Sequence, residues 1–328
     1  MRKKKILVAR AIFADQLAEL ERDFEVESNQ QDIIYLPLQL REKLRGKDAA
    51  LITSSERIDR DTLSLARDLR AVCNIAVGFN NIDLEAASVA GVMITNTPDV
   101  LDQTTADFGW ALLMATARRV TESEQWLRAG HWQQWRIDDF LGADLHGTTI
   151  GILGMGRIGQ AIARRSSGFD MQVLYHNRTR LSPDLETRAN NARWCNKQDL
   201  LASADHLMLV LPYSPATHHS IGAVELSLMK PSATLVNIAR GGIVDDTALI
   251  AALRNRTIAA AGLDVFENEP RLHADFLTLS NVVLTPHIAS ASAPTRRAMV
   301  ACASANLIAA LNGRIPPNLL NPAMTRKG

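Results

Sequence analysis

The chain has 328 residues, 47% of them hydrophobic and 22% charged, enough for two domains that each bury a core. Its net charge of +1 argues against nucleic acid or strongly charged surfaces as partners. Cys73, Cys195 and Cys302 are odd in number and scattered, which suits free thiols in a reducing cytoplasm better than a disulfide framework. The start, Met1-Arg-Lys-Lys-Lys5 before Ile6-Leu-Val-Ala9, imitates a secretion signal, but Arg10 ends the apolar run and acids follow from Asp15 to Glu21. No apolar run approaches the ~18 residues of a membrane span. A cytoplasmic protein is expected.

Residues 4–9 read as a buried strand and 14–22 as the helix after it. Apolar runs recur at 49–52, 71–77 and 92–95, alternating with helical patterns near 59–67 and 83–90. Strands alternating with helices at this spacing predict a parallel sheet. Asp102 is placed to cap a long helix running to residue 129, with Gly130 beyond its end. Its first half, Phe108-Gly-Trp-Ala-Leu-Leu-Met-Ala115, is apolar on nearly every face, as in a helix buried all round between domains or subunits. For Trp132 and Trp135, core packing and a dimer arm are equally good accounts.

The stretch Thr148-Thr-Ile-Gly-Ile-Leu-Gly154-Met-Gly156-Arg-Ile-Gly159 then joins an apolar run, a glycine turn and a helical pattern. That context is what a dinucleotide fingerprint requires, which makes Gly154, Met155, Gly156, Arg157, Ile158 and Gly159 candidate cofactor contacts. A second unit of strands follows at 171–175, 206–211, 234–238, 260–265 and 282–285, with a helix at 246–254. A last helix at 295–312 is closed by Gly313.

The strand after a dinucleotide fingerprint ends on the adenosine ribose, about 20 residues on, where an acid would bind a free 2′-hydroxyl. Here that end reads Tyr175-His-Asn177-Arg178-Thr179-Arg180 and carries no acid. Arg178 and Arg180 instead offer charge to a 2′-phosphate, so NADP is expected over NAD, with NAD still possible; a merely solvated loop is the plainer alternative. Three further strand ends carry Arg240 (in Asn237-Ile-Ala-Arg-Gly-Gly), Glu269 (after Gly262-Leu-Asp264-Val-Phe) and His287 (in Leu284-Thr-Pro-His). Ligands of open α/β sheets bind at that edge. A guanidinium, a carboxylate and an imidazole together suit reduction of a 2-oxo acid. Arg240 would grip the carboxylate, His287 would protonate the oxygen, and Glu269 would hold the imidazolium.

These stretches, with Val77-Gly-Phe-Asn-Asn-Ile-Asp83, Val244-Asp245 and His287-Ile-Ala-Ser290, resemble the D-isomer-specific 2-hydroxyacid dehydrogenases along essentially the whole chain. The nearest likeness is to bacterial glyoxylate/hydroxypyruvate reductases of the 2-ketogluconate reductase type. The resemblance implies an α/β fold of two doubly wound parallel-sheet domains, with a Rossmann cofactor domain (102–287) inserted in a flavodoxin-like substrate domain (1–101 and 288–328). It implies that Arg240, Glu269 and His287 are catalytic and that Val77, Gly78 and Ser290 contact the substrate. Asp264 would hold the nicotinamide amide, Thr104 would face the cofactor, and a homodimer would form through the cofactor domain. Asn80 stands where many members have Asp, and Ala289 replaces a commoner Gly, which would crowd the backbone beside His287.

Other classes find less support. His218 and His219 would point to opposite faces of an extended segment. No metalloprotease or paired-cysteine pattern exists, so no metal is expected, and no nucleophile elbow supports a hydrolase. A dinucleotide-sensing binding protein is the second reading. The third keeps the enzyme and changes its substrate to phosphite or 2-ketogluconate 6-phosphate.

Overall fold

A computed structural model describes residues 2–322; Met1 and residues 323–328, the extremities of the expected substrate domain, lie outside the described residues. The chain folds as two compact units, one up to Leu101 and resuming at Ser292, the other Asp102–Ala291. The return crossing thus falls after Ala291, and both His287 and Ser290 lie in the second unit.

The first unit is built on β1 (Lys5–Val8), β2 (Glu25–Ser28), β3 (Ala49–Ile52), β4 (Ala71–Asn74) and β5 (Met93–Thr95). They form one parallel sheet in the order β2-β1-β3-β4-β5, a doubly wound arrangement. Every residue of β3 and β4 is buried, which is why these strands read as apolar runs, β4 ending on Asn74. Asp59 and Asp83 begin the helices Arg60–Leu65 and Leu84–Ala90 by accepting the backbone N–H of Thr62 and Ala86. The helix Ala293–Leu311 packs on β3, β4 and β5 of this same unit.

The second unit holds β6 (Thr149–Leu153), β7 (Gln172–His176), β8 (Arg193–Trp194), β9 (His206–Leu209), β10 (Thr234–Asn237), β11 (Ala260–Leu263) and β12 (Val282–Leu284). All are parallel, in the order β12-β11-β10-β9-β6-β7-β8. Strand order reverses at β6, which lies between β7 and β9. That switch point is where a doubly wound sheet opens a crevice at the carboxyl ends of its strands. Neighbours Leu235 and Val236 of β10 enter separate core clusters, one on each face of the sheet.

One expectation for the segment before β6 is corrected. The single helix expected over 102–129 is two, Asp102–Ala117 and Val120–Arg128, because Arg119 turns left-handed at φ +53°. The returning loop sits against the first helix's end: a Cβ at Gly142 would lie 2.4 Å from the Ala117 carbonyl oxygen. The Arg119 guanidinium holds the corner with two bonds to Glu122, at 2.8 and 2.9 Å. In the apolar half of the first helix Trp110, Leu112 and Leu113 are buried, while in the single chain Ala111 is exposed and Met114 is 38% exposed. Trp132 and Trp135 stay 59% and 76% exposed, so core packing does not account for them. No helix among the described residues is long and apolar enough to cross a membrane.

Candidate active site

The fingerprint forms the turn between β6 and the helix Arg157–Arg165. At Gly154, φ is +105° and a Cβ would meet the backbone of Val210 and Leu211, just past β9, at 2.7 Å. A Cβ on Gly159 would sit 2.4 Å from the Gly154 carbonyl oxygen, so helix and turn pack backbone to backbone. Around Gly156, by contrast, the space is open within 4 Å. Gly156 is also the N-cap of its helix, and no side chain caps that end. A tight turn, open space over the middle glycine and an uncapped helix N-terminus fit a dinucleotide pyrophosphate. Met155 is 1% exposed, and the half-buried Ile158 packs on the same core cluster. Arg157 bonds Asp102 from Nε at 3.2 Å and remains half exposed, while Thr104 is half-buried on the helix Asp102–Ala117.

At the end of β7, Asn177 braces the fingerprint, its Oδ1 accepting the Met155 N–H at 2.7 Å. Arg178 and Thr179 are exposed. Arg180 has a partner that its neighbours in sequence do not announce. Its Nε and Nη2 each lie 2.8 Å from a different oxygen of Glu186, and the Tyr175 hydroxyl donates to Glu186 Oε1 at 2.7 Å. The Arg180 guanidinium and the Tyr175 hydroxyl hold the Glu186 carboxyl down at about 2. Burial, reinforced by Glu186, pushes the phenol of Tyr175 up to about 12. The two arginines are therefore not equivalent, and Arg178 is the one whose charge no neighbouring carboxylate offsets among the described residues.

The carboxyl ends of β10, β11 and β12 carry the other chemistry. Past β10, the Asn237 side chain shapes a turn, accepting the Ala239 N–H at 3.0 Å and donating to the Arg240 carbonyl at 3.1 Å. Burial lowers the Arg240 guanidinium from its ordinary value, with the charge of Glu269 pulling the other way. Past β11, Glu269 Oε1 accepts the Phe266 N–H at 2.9 Å and Oε2 lies 2.7 Å from His287 Nδ1. Burial works to raise the Glu269 carboxyl, but the His287 hydrogen bond and charge outweigh it and leave the group below the usual carboxylate range.

His287 itself follows β12 with φ +54°, a left-handed conformation uncommon for residues other than glycine. The surrounding backbone enforces it: the His287 N–H donates to the Asp264 carbonyl at 2.9 Å. The buried Asp264 carboxylate grips the same loop through Thr285 Oγ1 at 2.7 Å, the Ile288 N–H at 2.8 Å and the Ala289 N–H at 2.9 Å. Burial raises the Asp264 carboxyl against those three bonds. The visible work of Asp264 is thus to fix the His287 loop, a task its place in the motif did not reveal. Ala289 is buried and its φ is not left-handed.

Elsewhere, His218 and His219 do not face apart: they sit in a turn, with His219 at φ +49°, and their rings stack at 3.9 Å. Among the described residues no group of His, Cys, Asp or Glu is placed to hold a metal ion. A cavity of about 360 Å³ opens among Arg119, Leu141, Thr234, Arg256, Ala260 and Val282, at the amino ends of β10–β12, away from the catalytic candidates. In the first unit, Val77 and Gly78 follow β4, where Asn96 and Asn74 donate to their carbonyls at 2.8 and 2.9 Å. The neighbouring turn is tied by Asn81, which donates to the carbonyls of Thr53 and Glu56 at 3.0 and 2.8 Å.

A Rossmann-type sheet whose strand ends carry Arg240, Glu269 and His287 defines a nicotinamide-dependent oxidoreductase, and comparison with known proteins makes the class specific. The family model for the D-isomer specific 2-hydroxyacid dehydrogenase, NAD binding domain, matches residues 110–289. A glyoxylate reductase of Thermococcus onnurineus is 47% identical over 97% of this chain and 96% of its own length. A glyoxylate/hydroxypyruvate reductase B of Yersinia pestis is 51% identical over 83% of each chain. Among solved structures, an NADPH-dependent glyoxylate/hydroxypyruvate reductase of Sinorhizobium meliloti in complex with NADP and malonate aligns at TM-score 0.85, with 33% identity over 97% of both chains. The chain belongs to the D-isomer specific 2-hydroxyacid dehydrogenases.

Proposed function

We propose that this enzyme reduces a small 2-oxo acid, glyoxylate or hydroxypyruvate and by extension 2-ketogluconate, to the D-2-hydroxy acid with NADPH. The observation that carries the reading is the 2.7 Å pair of His287 Nδ1 and Glu269 Oε2, contributed by the ends of β12 and β11, beside the β10 end that bears Arg240. Names of the similar proteins support the substrate class. The turn 154–159 and the helix N-terminus behind it would hold the pyrophosphate of a nicotinamide dinucleotide, which would supply the hydride for the carbonyl carbon.

The chain's own residues do the rest. Arg240 grips the substrate carboxylate with its planar fork. Because Glu269 occupies Nδ1 of His287, Nε2 is the ring nitrogen that faces the substrate and delivers the proton to the carbonyl oxygen. The Glu269 carboxylate keeps that ring oriented and stabilises its charge. Preference for NADPH rests on Arg178, with Arg180 shaping the same loop through Glu186. A homodimer joined through the cofactor unit is part of the proposal, supported by the exposed Trp132 and Trp135.

The test is a spectrophotometric screen of NADPH oxidation with glyoxylate, hydroxypyruvate, 2-ketogluconate and its 6-phosphate. Turnover of one of the first three is expected. NADPH binding without turnover on any 2-oxo acid would replace this reading with dinucleotide sensing.

A further inference from the structure

We infer that His219, through Glu267, is a positioning residue that sets the Arg240 loop and the Glu269 loop in register. The inference rests on the catalytic reading of Arg240, Glu269 and His287 given above. Three chain segments meet here. The first, residues 212–221, follows β9. Its backbone is bonded to the second, the loop that leaves Arg240: His219 N–H to the Gly242 carbonyl at 2.8 Å, Ile221 N–H to Ile243 at 3.1 Å, and Asp245 N–H back to Ile221 at 2.9 Å. The third is the loop between β11 and Pro270, which carries both Glu267 and Glu269.

The His219 ring spans from the first segment to the third. Its Nε2 is hydrogen-bonded to Glu267 Oε1, and its Nδ1 faces Asp245 Oδ2 at 3.9 Å. The Glu267 N–H in turn donates to Asp246 Oδ2 at 3.3 Å, on the helix Asp246–Arg254. The His218 ring stacks on His219 and sits 3.2 Å from the Tyr213 hydroxyl, which limits where the His219 ring can go. The two loops are in backbone contact besides: a Cβ on Gly241 would fall 1.8 Å from the Phe266 carbonyl oxygen. A glycine contact stops the loops from interpenetrating but does not stop them from sliding apart. Directional bonds resist sliding, and of these the side-chain one is His219 to Glu267, which acts beside the Glu267 N–H bond to Asp246 and lies two residues from the acid that orients His287.

Reduction needs the carboxylate clamp and the proton donor held in register, and misplacement by about 1 Å can cost on the order of 100-fold in rate. His219 and Glu267 side chains are 37% and 27% exposed, so truncation opens no core cavity. The experiment compares His219→Ala, His219→Gln, Glu267→Ala and the double alanine variant by steady-state kinetics with glyoxylate, NADPH titration and thermal melting. His219→Ala and Glu267→Ala should each lower kcat/KM for glyoxylate by about tenfold, with NADPH affinity and Tm close to wild type. The double variant should be no worse than either single, and His219→Gln, which still donates to Glu267, should recover most of the loss. Kinetic constants within twofold of wild type in both alanine variants would overturn the inference. So would a loss that follows Tm and NADPH affinity and is not rescued by Gln, since that is a merely structural role. Should His219→Ala fail to fold, Glu267→Ala decides by the same criteria. Arg240→Ala and His287→Ala run alongside: if these stay active, the catalytic reading itself has failed, an outcome distinct from an inert His219.

Discussion

Replacing Glu269 by Gln tests the proton-delivery arrangement more sharply than deleting His287, because it preserves shape and removes one charge. The amide oxygen can still accept the Phe266 N–H, now at 2.9 Å, but its NH₂ then faces His287 Nδ1 in place of a carboxylate oxygen 2.7 Å away. A hydrogen bond to a charged partner is worth roughly 1.5–3 kcal/mol. Both side chains are about one-third exposed, so solvent screening places the loss at the lower end, about 1.5 kcal/mol or roughly tenfold in kcat. His287→Ala removes the proton donor itself and should cost about 10²–10⁴. The assay is kcat with glyoxylate at saturating NADPH, with deuterated NADPH used to verify that hydride transfer limits the rate in each variant. The direction of the Glu269 shift adds a pH signature. Its folded carboxyl lies below the usual range, so the pair is complete above the ordinary carboxylate pKa of ~4.3 and is lost only as pH falls through the lower folded value. Wild-type activity should therefore outlast pH ~4.3 on the acid side wherever the fold persists. A Glu269→Gln enzyme with wild-type kcat, beside an inactive His287→Ala, would refute the idea that the carboxylate supports the imidazole.

Arg178→Ala should weaken NADPH binding about tenfold and leave NADH nearly untouched, as expected for one charge-assisted contact; equal effects on both cofactors in a fluorescence titration would remove Arg178 from the 2′-phosphate. Arg180→Ala should act less selectively, because its guanidinium is committed to Glu186. Arg240→Lys replaces a planar fork by a point charge, so KM for the 2-oxo acid should rise while NADPH affinity holds; a matching loss of NADPH affinity would put Arg240 at the cofactor. Glu186 is held at about 2 against an ordinary value of 4.5, so its stabilisation is complete above pH 4.5 and disappears as pH falls through 2. The melting temperature of Glu186→Gln should accordingly lie below wild type at neutral pH and converge with it toward pH 2; a constant gap would show that ionisation is not the cause. Gly156→Ala should fold normally and bind NADPH poorly, whereas Gly159→Ala should lower Tm, since only the latter methyl group meets backbone, at 2.4 Å. Equal melting temperatures for the two would contradict the packing argument.

Features carried by contiguous residues were legible before the fold was known. Short, largely apolar runs marked β3, β4, β6 and β10 because buried parallel strands present apolar side chains on both faces. The glycine spacing at 154, 156 and 159 read as a dinucleotide turn because Gly154 and Gly159 answer close approaches of the backbone while Gly156 leaves space open. Arg240, Glu269 and His287 could be assigned to strand ends because strand, turn and polar residue are consecutive. Only the tertiary structure decided the partners. Nothing in Tyr175-His-Asn-Arg-Thr-Arg180 shows that Glu186 claims the second arginine, which requires the helix Pro183–Arg188 to fold back on the strand end. The helix expected through 119 breaks because a distant glycine loop returns against Ala117. His218 and His219 stack because a turn, not a strand, carries them. Asp264 binds three groups of a loop more than twenty residues away, and His219 bonds a carboxylate 48 residues on. Periodicity and spacing report what a residue does to its own stretch of backbone. Which charge meets which depends on segments distant in sequence arriving within about 3 Å, and packing sets that.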